Sequence, residues 1–162
     1  MIDHSLLNPT LTDADIIAGC KLADEYQVAS VCVRPSDVIL ARSILKESEV
    51  LVTSVIGFPH GTTTTLTKVT EAQEAIENGC AELDVVINIG KMRSREYEYV
   101  KKDIGAIIGI AHAQQVKVKV IFENVPAGEY AVSIIHDENS NEELDSNVFG
   151  MPKEGFAFGN NA

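Results

Sequence analysis

No stretch of this 162-residue sequence reaches the roughly 18 consecutive apolar residues of a membrane span, so neither a spanning helix nor a membrane partner is expected. Basic residues are scarce: 13 Lys and Arg stand against 24 Asp and Glu, for a net charge of -11. Phosphate backbones are held by clustered Lys and Arg, so this balance argues against a nucleic-acid partner. Cysteine is limited to Cys20, Cys32 and Cys80, an odd number, far apart and without metal-ligand spacing. They read as reduced core residues, and disulfides are not expected. Met1-Ile2-Asp3-His4 lacks a basic region followed by an apolar run, so the expected location is cytoplasmic. Glycine-rich phosphate loops are also missing. Neither G-x-G-x-x-G nor G-x-x-x-x-G-K follows any apolar run, which leaves the nucleotide-binding open sheets without support.

What the sequence has is 45% apolar residues arranged in strict alternation of strand and helix as far as Glu123. Short runs that are apolar almost throughout, Ala29–Val33, Leu51–Ile56, Leu83–Ile87 and Val116–Phe122, suit parallel strands buried on both faces. Helical periodicity separates them. A first helix follows Thr12, with Asp15 as a capping-box partner, and ends near Tyr26. A second opens at Pro35-Ser36-Asp37. A third runs from about Thr64 to Asn78, with Leu66, Val69, Ala72, Ala75 and Ile76 inward and Gly79 as its left-handed C′ residue. A fourth, from about Ser94 to Gln114, carries Tyr97, Val100, Ile104, Ile107, Ile108 and Ala111 along one stripe.

Repeated strand–helix units of this length give a right-handed parallel α/β sheet. A (β/α)8 barrel typically takes about 250 residues, and this chain supplies four units and a fifth strand. The expected fold class is therefore α/β: a partial (half) TIM (β/α)8 barrel with parallel strands over residues 1–121, then a C-terminal β-hairpin and irregular tail over residues 122–162. Charge marks the same boundary. Residues 1–120 carry 12 basic and 16 acidic side chains, whereas residues 121–162 carry Lys153 alone against eight acids.

Barrel chemistry sits at the C-terminal ends of the strands. Asp3 and His4, Cys32 with Arg34, the turn Gly57-Phe58-Pro59-His60-Gly61, and Asp84 are assigned there. Asp84 is the most informative, because a carboxylate inside an apolar strand is costly to bury without a partner. Two readings stand, a structural ion pair with Lys119 on the next strand and a catalytic carboxyl. Lys117 and Lys119 alternate with valines, so they share one face as a like-charge pair; they are either solvated or ion-paired, or a substitute nucleophile. A buried Cys32 alone reads as inert packing.

The segments Ile2-Asp3-His4-Ser5-Leu6-Leu7-Asn8-Pro9, Ala29-Ser30-Val31-Cys32-Val33-Arg34-Pro35, Val55-Ile56-Gly57-Phe58-Pro59-His60-Gly61, and Ala81-Glu82-Leu83-Asp84-Val85-Val86-Ile87-Asn88-Ile89-Gly90 carry a resemblance. Over about residues 1–123 the chain resembles the N-terminal half of deoxyribose-phosphate aldolase. That family is a cytoplasmic, metal-free (β/α)8 barrel. It cleaves 2-deoxy-D-ribose 5-phosphate to glyceraldehyde 3-phosphate and acetaldehyde through a Schiff base on lysine. The resemblance implies that Asp84 is the catalytic aspartate, that Asp3, Cys32 and Lys119 border the sugar site, and that the partner is a small phosphosugar or aldehyde. It also implies a nucleophilic lysine in a K-T-S-T-G-like strand and a second lysine in a K-x-x-G-G-like strand, and neither motif occurs in these 162 residues. The expectation is an aldolase-like piece that is catalytically incompetent as it stands. Its open strand edges make a homo-oligomer the expected state.

From Phe122 the pattern changes. Asn124-Val125-Pro126-Ala127-Gly128-Glu129 is a turn cluster, and Tyr130–His136 is a β-rich run expected to pair antiparallel with Val116–Phe122. His136 reads as a hairpin residue. With Asp137-Glu138-Asn139 and Gly150-Met151-Pro152-Lys153-Glu154, this segment is similar to a small secreted β-sandwich family of bacteria, domain of unknown function 2141. Two such pieces in one chain look like a chimera. Oxygen ligands at alternate positions, Asp137, Asn139, Asn141 and Asp145, make a candidate metal site for weak calcium, the one cofactor suggested; Glu142, where the sharp turn needs glycine, favours a solvated acidic turn. The alternative to an aldolase-like function is thus a weak calcium-binding or structural self-associating module.

Overall fold

A computed structural model describes residues 2–121, 132–135 and 156–159. The chain divides into two compact units, Met1–Val125 and Pro126–Ala162, a few residues beyond the charge boundary. In the first unit the elements are β1 (Asp3–Leu6), α1 (Asp13–Glu25), β2 (Ser30–Val33), a 3-10 turn (Pro35–Asp37) and α2 (Val38–Ile44). They continue with β3 (Leu51–Ile56), α3 (Thr65–Glu77), β4 (Glu82–Val86), α4 (Ile89–Arg93), α5 (Tyr97–His112) and β5 (Lys117–Ile121). The five strands form one sheet in the order β1-β2-β3-β4-β5, each neighbour parallel, as right-handed βα units require.

Alternation along the strands sorts the side chains into two faces. Val31, Val33, Val52, Ile56, Leu83 and Val85 turn outward into a single core with Ile16, Cys20, Val38, Ala41, Ala72, Ala75, Ile107 and Ala111 of the covering helices. The inner face takes the other residues: Asp3, Ser30, Cys32, Thr53, Glu82, Asp84, Lys117 and Lys119. Lys119 of β5 reaches Asp3 of β1, so side chains from the two edge strands of the sheet meet. That reach requires the sheet to curl as part of a barrel wall does.

Thr12 caps α1 as expected. Its backbone N–H donates to Asp15 Oδ2 at 2.8 Å, and the Asp15 N–H donates to Thr12 Oγ1 at 3.4 Å. The hydrogen bonds from Thr12 hold the Asp15 carboxyl below its ordinary value. Thr12→Ala is expected to destabilise the first unit by on the order of 1 kcal/mol in urea unfolding near neutral pH. A carboxyl whose folded pKa is depressed contributes above its unfolded pKa and loses that contribution as pH falls through the folded one. The gap between parent and variant should therefore narrow below pH 4; a gap independent of pH would contradict the reciprocal cap.

Three expectations are corrected. The fourth helix breaks into α4 and α5, because Arg95 adopts a left-handed φ of 59° between them. Leu66 and Tyr97 are exposed, at 75% and 56%, while Lys68 and Asp103 occupy the buried faces of α3 and α5. In the second unit, β6 (Val132–Ile135) pairs antiparallel with β7 (Phe156–Gly159), not with the run at 116–122; β5 takes its pairing from β4, in parallel. The 156–159 run, assigned to an irregular tail, thus supplies the partner strand.

Candidate active site

The inner face of β4 shows why Asp84 stands out in the sequence. Leu83 and Val85, on either side, are fully buried against the helices, so Asp84 must point into the concavity. There Asp84 Oδ2 accepts a hydrogen bond from the Cys32 thiol at 3.4 Å, and Oδ1 is buried without a hydrogen-bond partner among the described residues. Burial raises the Asp84 carboxyl above its ordinary value; the Cys32 hydrogen bond and the charge of Lys119 oppose this, and Glu82 and Asp3 add to it. Burial and the facing Asp84 charge push the Cys32 thiol up to about 12, so it serves Asp84 as a neutral donor and is no thiolate nucleophile.

Lys119 is the Cα register partner of Asp84 across β4 and β5. Its ammonium nevertheless goes elsewhere, 2.7 Å from Glu82 Oε2 and 3.3 Å from Asp3 Oδ2. Lys117 Nζ approaches the Glu82 carboxylate at 3.9 Å. The structural alternative considered for Asp84, an ion pair with Lys119, is thus replaced by a Glu82–Lys119–Asp3 bridge. Burial depresses the Lys119 ammonium, but Glu82 and Asp3 together outweigh it and hold the group above its ordinary value. Asp3 lies below its own, first through the Ser30 hydroxyl, which donates to Oδ1 at 2.7 Å, and then through Lys119.

The structure brings Asp3, Cys32, Asp84 and Lys119 onto one face, but not at the C-terminal ends of the strands. Asp3 opens β1 and Asp84 sits mid-strand. His4 alternates to the face opposite Asp3. Arg34 is structural: it pairs with Asp37 and donates to the carbonyls of Asn8, Pro9 and Leu11, closing the loop that leads into α1. Glu82, Ser30 and Thr53 belong to the cluster and were not singled out from sequence; Glu82 was detectable as a second acid spaced two residues from Asp84. Asp137, Asn139, Asn141, Asp145 and His136 lie outside the described residues, and among the described residues no three metal-ligating side chains converge.

A curled parallel βα sheet with a buried acid, a thiol and lysines on its concave face is the wall of a partial (β/α) barrel. Deoxyribose-phosphate aldolase of Rhodopirellula baltica is 48% identical over 124 residues, covering 76% of this chain and 52% of its own. That of Thermococcus kodakarensis is 50% identical over 124 residues, covering 75% and 55%. Among solved structures, a deoxyribose-phosphate aldolase from Coccidioides immitis superposes with a TM-score of 0.70 at 41% identity, over 73% of this chain and 46% of that one. A deoxyribose phosphate aldolase from Aeropyrum pernix, described as having a unique tetrameric structure, gives 0.67 at 30% identity, over 73% and 49%. The chain spans about half the length of these relatives. It belongs to the family described as an uncharacterized protein conserved in bacteria (DUF2141), which matches residues 77–162. That match begins inside the first unit and takes in β4 to β5, which the structure places in the parallel sheet.

Proposed function

We propose that the first unit carries the proton-transfer side of a cytoplasmic class I aldolase site for 2-deoxy-D-ribose 5-phosphate, and that the 162 residues by themselves do not turn it over. The observation behind the first half is Asp84: half-buried, its carboxyl raised by burial from its ordinary value, hydrogen-bonded by a neutral thiol, and facing the concavity. A carboxyl whose pKa is raised by burial is better suited than an ordinary one to take and return a proton.

The second half rests on Lys119. An amine attacks an aldehyde carbonyl only when unprotonated, which requires burial or a neighbouring cation to depress its pKa. Lys119 has the opposite surroundings, two carboxylates within 3.3 Å. Lys117, the other inner-face lysine of β5, is largely exposed and near Glu82. Neither is prepared as a nucleophile, so the acetaldehyde-bearing carbon of the sugar would find a proton carrier but no covalent anchor. We further propose that the chain joins an aldolase-type barrel piece to a sandwich-type segment, on the change of sheet from five parallel strands to an antiparallel pair.

Borohydride reduction in the presence of 2-deoxyribose 5-phosphate, read by mass spectrometry beside a coupled aldehyde assay, is expected to give no lysine adduct and no product above background. An adduct on Lys117 or Lys119 that disappears in Asp84→Asn would overturn the inactive half of this reading and confirm the role of Asp84.

A further inference from the structure

Strand register alone would give Asp84 a salt bridge. Its Cα partner on β5 is Lys119, whose ammonium could turn toward either of two carboxylates on β4, Asp84 or Glu82. It lies 2.7 Å from Glu82 Oε2, while Asp84 Oδ1 is buried with no hydrogen-bond partner among the described residues. Glu82 is itself almost wholly buried, at 6% exposure, so its charge is poorly screened and competes strongly for the Lys119 ammonium, which lies closer to it than that of Lys117 at 3.9 Å. Asp3 holds the other side of the ammonium at 3.3 Å, and Asp3 is in turn fixed by the Ser30 hydroxyl.

We propose that Glu82 is a positioning residue: with Asp3 as a second anchor, it draws Lys119 off its register partner and leaves the Asp84 carboxyl with the Cys32 thiol as its only hydrogen-bond partner among the described residues. The charged and titratable groups facing Asp84 are then Cys32 from β2, Lys119 from β5, Glu82 from β4 itself, and Asp3 from β1. The single cation among them, Lys119, is committed to the two other acids. Were Lys119 to turn to Asp84, an opposite charge at contact distance would hold the carboxyl ionised and end its use as a proton carrier. Glu82 therefore acts on Asp84 at one remove, through the direction in which Lys119 points. The inference deepens the reading of Asp84 as a proton-transfer group, and rests on that reading only for its purpose, not for its geometry.

The test is a titration of the Asp84 carboxyl carbon by NMR in the full chain, its resonance identified by its loss in Asp84→Asn. Glu82→Gln is expected to lower the Asp84 midpoint by roughly one pH unit or more, because the released Lys119 turns to it. In a Lys119→Met background the same Glu82→Gln change should lower the midpoint by less than half as much, since only the direct loss of the Glu82 charge remains. Equal lowering in both backgrounds, or none in the first, overturns the proposal. In the unaltered protein, the Lys119 Cε resonance should not follow the titration of Asp84; a resonance that does would overturn the proposal without any variant having to fold. Neither readout needs turnover, so failure here is distinct from the outcome of borohydride trapping.

Discussion

Asp103→Ala should destabilise the first unit by about 3 to 5 kcal/mol, the range for removing one partner of a buried ion pair. Lys68 and Asp103 are both fully buried, and Lys68 Nζ lies 2.6 Å from Asp103 Oδ2. The ammonium also donates to the Val86 carbonyl at 2.9 Å, and the Thr65 hydroxyl donates to Asp103 Oδ1 at 2.6 Å. One interaction thus ties α3, α5 and the C-terminal end of β4 together. Alanine would leave a fully buried cation with the Val86 carbonyl as its remaining hydrogen-bond partner among the described residues. Against a total stability of roughly 5 to 15 kcal/mol for a domain, that loss is a large share. Replacing both partners with apolar residues of similar volume, Lys68→Met with Asp103→Leu, should recover most of it, because no bare charge remains. Urea unfolding followed by circular dichroism decides the matter. A single variant as stable as the double would show that Lys68 reaches water, and the burial argument would fail.

This pair was not foreseen from the sequence, and the reason is instructive. Helix faces were assigned from apolar residues alone, which placed Leu66 inward and left Lys68 on the polar side. Yet Lys68, Ala72 and Ala75 recur at helical spacing, as do Val100, Asp103, Ile107 and Ala111. One charge of each sign interrupting the small or apolar stripe of two helices is a signal for a buried pair. What the pattern lacks is the pairing itself, since nothing local to α3 indicates that α5 packs beside it.

The inner face was legible in a different way. A carboxylate within Leu83-Asp84-Val85 stands out because its neighbours must face the core, and strand alternation then puts Lys117 and Lys119 on the same side. The strand bounds at Leu51–Ile56 and the cap at Thr12 follow from composition and local hydrogen bonding. Which acid holds Lys119 does not, because a lysine side chain spans more than one register position and the choice among Asp84, Glu82 and Asp3 depends on burial. The misplaced hairpin has a similar cause. The 132–135 run has strand composition, but composition carries no partner, and its partner lies more than 20 residues downstream.

Gly61→Ala should be the most damaging small substitution at the mouth of the sheet, with a loss of roughly 3 kcal/mol or more. Gly61 has a φ of +65°, and its N–H donates to the Gly57 carbonyl at 2.7 Å, closing the turn between β3 and α3. A Cβ there would stand 1.8 Å from the Ile87 carbonyl oxygen and 2.9 Å from that of Val86. Both are backbone atoms just past or at the end of β4, so neither can rotate away, and the turn would have to lift off the strand. Gly79→Ala is the control. Its φ of +95° is equally foreign to alanine, but the nearest atom to a new Cβ is Arg42 Cγ at 3.3 Å, part of a side chain that can swing aside. Its loss should stay near the backbone term alone, about 1 to 2 kcal/mol. The two variants share a conformational cost and differ only in what the methyl group meets. Equal losses, or a larger one at Gly79, would mean that the turn does not press against β4 in solution.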